Sequence, residues 1–124
     1  MKIAIVEDDL QVYERLQTYL SELLGSSAEY IYFPSGEIFL KSWRKGAFDL
    51  IILDIFMDRL TGIDVAKEIR KTDKNILLAF ITTSNEFASE SYEVNACYYL
   101  HKPFGKEQID RKSTRLNSSH PSRS

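Results

Sequence analysis

Three acidic residues, Glu7, Asp8 and Asp54, come directly after short apolar runs in distant parts of the chain. The runs are Lys-Ile-Ala-Ile-Val at 2–6 and Leu-Ile-Ile-Leu at 50–53. If the carboxylates meet, a proton or a cation must lie between them, because two charges about 4 Å apart repel by roughly 4 kcal/mol at an effective dielectric of about 20. A cluster of carboxylates suits Mg²⁺, which also binds waters and a phosphate oxygen. These residue types therefore predict phosphoryl chemistry at a Mg²⁺ site.

The two apolar runs must be neighbours if these acids are to form one site. Neither run alternates polar with apolar residues, which favours parallel strands that are covered on both faces. In an open parallel sheet, the ligand crevice lies at the carboxyl ends of the strands, beside the point where the strand order reverses. We expect both runs to end there, since any other strand order would separate the acids.

The remaining elements alternate along the chain. Leucines and Tyr13 recur at helical spacing after the first run, with Asp9 as the predicted N-cap and Gly25 as the predicted C-cap. The later predictions are a strand at 30–33, a helix that carries Ile38, Phe39 and Trp43 and ends at Gly46, a strand opening at Leu50, a helix through Ile63 and Ile69, a strand at 76–81, a helix at 87–94 and a strand at 97–100.

Five strands alternating with helices predict an α/β fold. The expected architecture is a flavodoxin-like (βα)5 open parallel sheet of order 2-1-3-4-5, with helices on both faces and right-handed crossovers. That order places the first and third strands side by side, where the acids would converge. The segment 55–62 is long for a strand-to-helix connection and is a candidate functional loop.

Length and composition limit the function classes. The chain has 124 residues, which is one domain, and its formal net charge of -2 gives no electrostatic case for nucleic acid binding. The single cysteine, Cys97, cannot form an internal disulfide, and we find no signal peptide or membrane-spanning apolar run. These features predict a cytoplasmic protein.

Residues 111–124 differ in composition from the rest. They contain no acid and one large aliphatic residue, Leu116, so they can add little to a core. We expect a domain at 1–110 followed by a tail that is a linker remnant or a non-native segment rather than a basic arm for a partner.

Four motifs together resemble one known family. They are Ile-Val-Glu-Asp-Asp at 5–9, Leu-Asp-Ile-Phe-Met at 53–57 with Gly62, Ile-Thr-Thr at 81–83, and Tyr-Leu-His-Lys-Pro-Phe at 99–104. In this order and at these separations, they resemble the receiver domain of two-component response regulators over residues 1–110. The stretch from 87 to 104 is similar to the subgroup whose output is a LytTR-type DNA-binding domain.

The resemblance implies a role for each acid. Asp54 would be the phosphoacceptor, forming an aspartyl phosphate without a general base. Asp8 and Asp54 would ligate Mg²⁺ directly, Glu7 would bind it through water, and Phe56 would contribute its backbone carbonyl.

The same resemblance assigns residues at the other strand ends. Lys102 would contact the phosphoryl oxygens, held by Pro103 through a cis peptide bond. Thr82 would hydrogen-bond the acyl phosphate, and Tyr99 would turn inward as the loop moves. Thr82 and Tyr99 would thus form the switch, and the readout face would be the fourth helix, fifth strand and fifth helix.

The implied function is phosphorelay signalling. The phosphoryl group would come from a sensor histidine kinase or from a small acyl phosphate, and the domain would catalyse its own phosphorylation and dephosphorylation without being a turnover enzyme. Transcription would be controlled through an output domain outside this chain. A homodimer would form through the readout face if the fifth helix forms. The family pattern is departed from at Asp58, where proline is common, and near Asp110, where the matching fifth helix is cut short.

Three other functions compete with this one. A haloacid-dehalogenase-like phosphatase needs a second Asp two residues after its nucleophile, where this chain has Phe56. A flavodoxin-like cofactor binder needs a Ser-, Thr- and Gly-rich first loop to hold a phosphate, whereas residues 7–9 are all acidic. A phosphorylation-independent pseudo-receiver would not need the full set of site residues.

Overall fold

The computed structural model describes residues 1–57, 59–83, 86–105, 107 and 108. Its strands are β1 (Lys2–Val6), β2 (Glu29–Phe33), β3 (Leu50–Asp54), β4 (Leu77–Thr82) and β5 (Tyr98–His101). Its helices are α1 (Leu10–Leu24), α2 (Gly36–Ser42), α3 (Gly62–Thr72) and α4 (Ala88–Glu93), with a 3₁₀ turn at Gly25–Ser27. None of the helices in these ranges is long and apolar enough to cross a membrane.

All five strands are parallel, in the order β2-β1-β3-β4-β5. The predicted flavodoxin-like architecture is therefore confirmed. Val6 of β1 pairs with Leu53 of β3, and Asp54 pairs with Ile81 of β4. This register brings the carboxyl ends of the three central strands to the same edge of the sheet.

The strand side chains alternate between two apolar layers, which explains why the runs show no polar alternation. On one face, Ile3 and Ile5 pack with Leu16 and Leu20 of α1. On the other face, Ala4 and Val6 belong to a cluster that the apolar sides of α2 and α3 complete. Helices thus cover both faces, and the central strands are buried from both sides.

Local capping sets where the helices begin. The side chain of Asp9 accepts a hydrogen bond from the amide of Gln11, which confirms the predicted N-cap of α1. Gly25 ends this helix with a φ of 65°, a conformation that glycine adopts without strain. Thr61 and Asp64 form a reciprocal capping box at the start of α3, directly after the candidate functional loop.

The predicted end of the second helix is wrong. α2 ends at Ser42 rather than at Gly46, and Trp43 has an extended ψ of 133°. The indole Nε1 of Trp43 donates a hydrogen bond to Thr72 at 3.1 Å, and its ring stacks on Phe39 at 6.0 Å. This contact with α3 places Trp43 across the end of α2, so tertiary packing overrides the local helical pattern.

Other boundaries differ from the prediction by one residue. The fourth and fifth strands each begin and end one position later than predicted, and α4 is one residue shorter at each end. Cys97 is exposed as a residue, and its thiol donates to the carbonyl of Leu78 at 3.1 Å. The peptide bond between Lys102 and Pro103 is cis, as the resemblance implied. The predicted fifth helix lies largely, and the tail 111–124 entirely, outside the described residues.

Candidate functional site

The three acids meet at the carboxyl ends of β1 and β3. Each of Glu7, Asp8 and Asp54 offers a carboxylate oxygen within 4.8 Å of the other two. Glu7 is fully buried and Asp54 is 3% exposed, whereas Asp8 is exposed. The cluster is therefore a pocket with two buried carboxylates at its base and a third that faces solvent.

A lysine that follows the edge strand β5 reaches into this pocket. The ammonium of Lys102 lies 3.1 Å from Oε1 of Glu7 and 3.4 Å from Oδ2 of Asp54. The backbone amide of Lys102 donates to the carbonyl of Thr82 at 2.7 Å, which anchors the segment after β5 to the end of β4. One cation thus lies against the two buried carboxylates.

Burial raises the pKa values of both acids at the base of the pocket. The pKa of Glu7 rises from 4.5 to about 8, mainly through desolvation and then through the charge of Asp54, while the amide of Asp9 and the Lys102 ammonium oppose the rise. Desolvation also raises the pKa of Asp54, against the opposing effect of Lys102. Desolvation alone would lower the pKa of Lys102, but Asp54 and Glu7 outweigh it and the pKa is raised. The pocket therefore has too little positive charge for its acids.

The donor set fits a hard divalent cation. All three acids offer oxygen ligands, and Oε1 of Glu7 is buried without a hydrogen bond of good geometry to the described residues. Mg²⁺ in proteins binds one or two carboxylates and keeps several waters, which suits a pocket open to solvent at Asp8. Such an ion would supply the missing positive charge.

Thr82 and Tyr99 make different contacts around this pocket. Thr82 ends β4, is fully buried, and is joined to Lys102 through the backbone. Tyr99 is half-buried against the core, and burial raises its pKa, while a hydrogen bond with the backbone of Phe87 opposes the rise. Its hydroxyl therefore meets the start of α4 rather than the acids.

Two features of the site come from contacts that the sequence motifs did not predict. The ring of Phe56 is 44% exposed and packs edge-on against Phe87, with centroids 5.2 Å apart. Phe87 could have been suspected because it follows the end of β4, and therefore lies near the same sheet edge. A Cβ on Gly62 would lie 2.4 Å from the carbonyl oxygen of Asp54, so only glycine allows α3 to begin this close to the acid.

The structure thus brings together Glu7, Asp8, Asp54 and Lys102 and places Thr82 at the adjoining strand end. The ring of Phe56 and the hydroxyl of Tyr99 both contact Phe87 instead. A buried carboxylate beside an ammonium, at a site suited to a divalent cation, is chemically equipped to attack a phosphorus atom and to hold the product.

Comparison with known proteins agrees with this arrangement. The family described as "Response regulator receiver domain" matches residues 3–113. Sensory transduction protein LytR of Staphylococcus epidermidis is 34% identical over 117 residues, covering 94% of this chain and 46% of LytR. Sensory transduction protein LytT of Oceanobacillus iheyensis is 32% identical over 123 residues, covering 94% and 48%. The chain spans about half the length of these curated relatives.

Solved structures share the fold and sequence similarity. The response regulatory domain of protein mrkE from Klebsiella pneumoniae superposes with a TM-score of 0.85 at 30% identity, covering 94% of this chain and 95% of that one. Response regulator TrrA from Thermotoga maritima, solved in complex with Mg(2+)-BeF, superposes with a TM-score of 0.79 at 32% identity, covering 93% and 97%. With the family match over most of its length and the acidic pocket at the expected strand ends, this chain belongs to the receiver domain family of two-component response regulators.

Proposed function

We propose that the chain accepts a phosphoryl group on the carboxylate of Asp54 in a Mg²⁺-dependent reaction, with a sensor histidine kinase as donor. The observation that carries the proposal is the convergence of three carboxylates and one ammonium at the ends of β1, β3 and β5. A purely structural role for this cluster is disfavoured, because two nearly buried acids share one lysine and their pKa values are raised.

In the proposed transfer, a carboxylate oxygen of Asp54 attacks phosphorus in line, and the bond from phosphorus to the donor's imidazole nitrogen breaks. The electron pair leaves with that nitrogen, so the chain needs no base to activate its nucleophile. Asp54 must be ionised, and the ammonium 3.4 Å away favours that form. A small acyl phosphate would react in the same way, with its carboxylate as the leaving group.

Mg²⁺ would neutralise the pocket and the phosphoryl oxygens when it is bound. We assign Asp8 and Asp54 as direct ligands, Glu7 as a ligand through water, and the backbone carbonyl of Phe56 as a further ligand. Two observations support the more distant role of Glu7. Its side chain is fully buried, and its second oxygen already accepts a hydrogen bond from the amide of Asp9 at 3.0 Å. TrrA, which was solved with Mg(2+)-BeF, supports the choice of metal.

Lys102 would contact the phosphoryl oxygens, and Thr82 would hydrogen-bond the acyl phosphate. Tyr99 would then change position with the start of α4, because its hydroxyl meets the backbone of Phe87. This change is a shift between two arrangements that differ in their contacts. The readout face would comprise α4, β5 and the fifth helix.

The output of the whole protein would be transcriptional. LytR and LytT are about twice as long as the matched part of this chain, which leaves room for an output domain outside it. We propose a LytTR-type DNA-binding domain as that output. Homodimerisation through the readout face would follow phosphorylation if the fifth helix forms.

The deciding experiment is mass spectrometry after incubation with Mg²⁺ and acetyl phosphate. We expect one added phosphoryl group on Asp54 and none on an Asp54→Asn variant. Asp9→Asn is a matched control, because it removes a nearby carboxylate while asparagine still caps α1. Label on another residue, or equal label in the Asp54→Asn variant, would refute the assignment. No label on the intact chain would instead favour the phosphorylation-independent interaction module.

A further inference from the structure

The side chain of Arg70 in α3 binds the carboxyl end of α4. The guanidinium of Arg70 donates from Nε to the carbonyl of Val94 at 2.7 Å and from one terminal nitrogen to the carbonyl of Asn95 at 3.2 Å. Its other terminal nitrogen donates to the carbonyl of Asp73 at 3.2 Å. Arg70 therefore joins the ends of α3 and α4, and we call these three hydrogen bonds the Arg70 clasp.

The clasp satisfies carbonyls that the helix itself leaves open. Val94 is the C-cap of α4, and Asn95 follows it with a φ of 60°, which ends the helix in a left-handed turn. A positive charge at this position also interacts favourably with the negative end of the helix dipole. The planar fork of arginine can bond several carbonyls at once, which lysine cannot do.

The amino end of α4 is held quite differently. Its N-cap, Phe87, makes no side-chain capping hydrogen bond. Phe87 instead contacts two residues that belong to the site or to the proposed switch: its ring packs on Phe56, and its backbone bonds the hydroxyl of Tyr99. The amino end of α4 therefore contacts residues beside the pocket, while its carboxyl end is tied to α3.

We infer that Arg70 acts as the fixed pivot of α4, so that phosphorylation moves the amino end of this helix while the clasp keeps its carboxyl end in place. This inference rests on the proposed function. It identifies Arg70 as a positioning residue, since it contacts none of the reacting groups. Its effect is to turn a small displacement beside Phe56 and Phe87 into a rotation of the α4 surface.

NMR-detected amide hydrogen exchange on the whole chain tests the clasp without any phosphodonor. The amides of Val94, Asn95 and Ala96 bond to carbonyls within α4, so they report opening of its last turn. We expect Arg70→Met to accelerate their exchange about tenfold or more. Lys67→Met is the matched control, because it removes a charge from an exposed position of the same helix. It should leave the three amides unchanged.

Arg70→Lys keeps the charge and the aliphatic stem but cannot bond several carbonyls at once. It therefore separates loss of the clasp from general destabilisation. Acceleration confined to the three reporter amides supports the clasp. Equal acceleration of the sheet amides of Leu53 and Phe80, or no acceleration in either variant, would overturn it.

Mg²⁺ with beryllofluoride then tests the pivot in the unmutated chain. We expect amide shifts at Asp54 and at the amino end of α4, with little change at Val94 to Ala96. In Arg70→Met, the shifts should spread to the carboxyl end. Equal shifts at both ends of α4 in the unmutated chain would refute the pivot alone. A missing response at Asp54 would refute the proposed function and the pivot together.

Discussion

Replacing Glu7 with glutamine should stabilise the metal-free protein, and more strongly as the pH rises. Glu7 is fully buried, and desolvation raises its pKa from 4.5 to about 8. The folded state therefore holds a proton that the unfolded chain releases at lower pH. For an acid whose folded pKa is raised, stability is lost as pH rises from the unfolded value towards the folded one. Glutamine has the shape of the protonated acid and does not titrate, so the variant loses no stability at this position between these two pKa values.

The size of the effect follows from the proton linkage. One proton contributes about 1.4 kcal/mol for each pH unit between the two pKa values. Between pH 5 and pH 8, the stability of the unmutated protein relative to Glu7→Gln should fall by an amount of the order of 2 to 4 kcal/mol. The lower figure allows for coupled titration of Glu7 with Asp54 and Lys102, because the Lys102 ammonium contacts carboxylate oxygens of both acids.

Urea unfolding in EDTA at several pH values between 5 and 8 measures this difference. Glu68→Gln is the control, because Glu68 is an exposed glutamate paired with Lys71, and its effect on stability should be small. Adding Mg²⁺ should reduce the pH dependence of the unmutated protein, since a bound cation favours the ionised acids. A stability difference between Glu7→Gln and the unmutated protein that is the same at pH 5 and pH 8 would show that Glu7 does not titrate as its burial requires.

Three further substitutions test the positioning of the site. Gly62→Ala should cost about 1 to 3 kcal/mol in urea unfolding and slow phosphorylation, because the new Cβ would lie 2.4 Å from the Asp54 carbonyl oxygen. Gly105→Ala should be nearly neutral, because nothing lies within 4 Å of a Cβ at that position. Equal costs in the two variants would contradict the close approach of α3 to Asp54. Thr61→Ala should cost about 1 kcal/mol by thermal unfolding, because it removes the N-cap of α3, and Thr61→Ser should restore most of it. Lys102→Met should tighten Mg²⁺ binding on the order of tenfold by titration calorimetry, because the competing ammonium is gone, while abolishing the acyl phosphate. Weaker Mg²⁺ binding would show that Lys102 does not compete with the ion.

Much of the fold could be predicted because the central strands are apolar on both faces. That pattern indicates a parallel sheet flanked by helices, and the family motifs then imply one strand order. The caps at Asp9 and Gly25 were also predictable, since each depends on the residue type at one position and on its immediate neighbours.

The end of α2 could not be predicted in the same way. Trp43 continues the apolar spacing of the helix, yet its indole bonds to Thr72 of α3 and its ring stacks on Phe39. Helical propensity differs by only fractions of a kcal/mol between most residues, so the contacts of Trp43 with Thr72 and Phe39 decide the boundary.

Residue types and their spacing set which groups are available to the site: carboxylates at strand ends, a hydroxyl, an ammonium and the glycine that opens α3. How these groups act on one another depends on the packing of the helices and strands. It places Lys102 against both buried acids, brings α3 within contact of Asp54, and ties α4 to Arg70 at one end and to Phe56 at the other. Strand order sets which loops meet, but the pKa values of the acids and the contacts of α4 depend on burial and on distances of a few ångströms. Those quantities exist only once the helices have packed on the sheet.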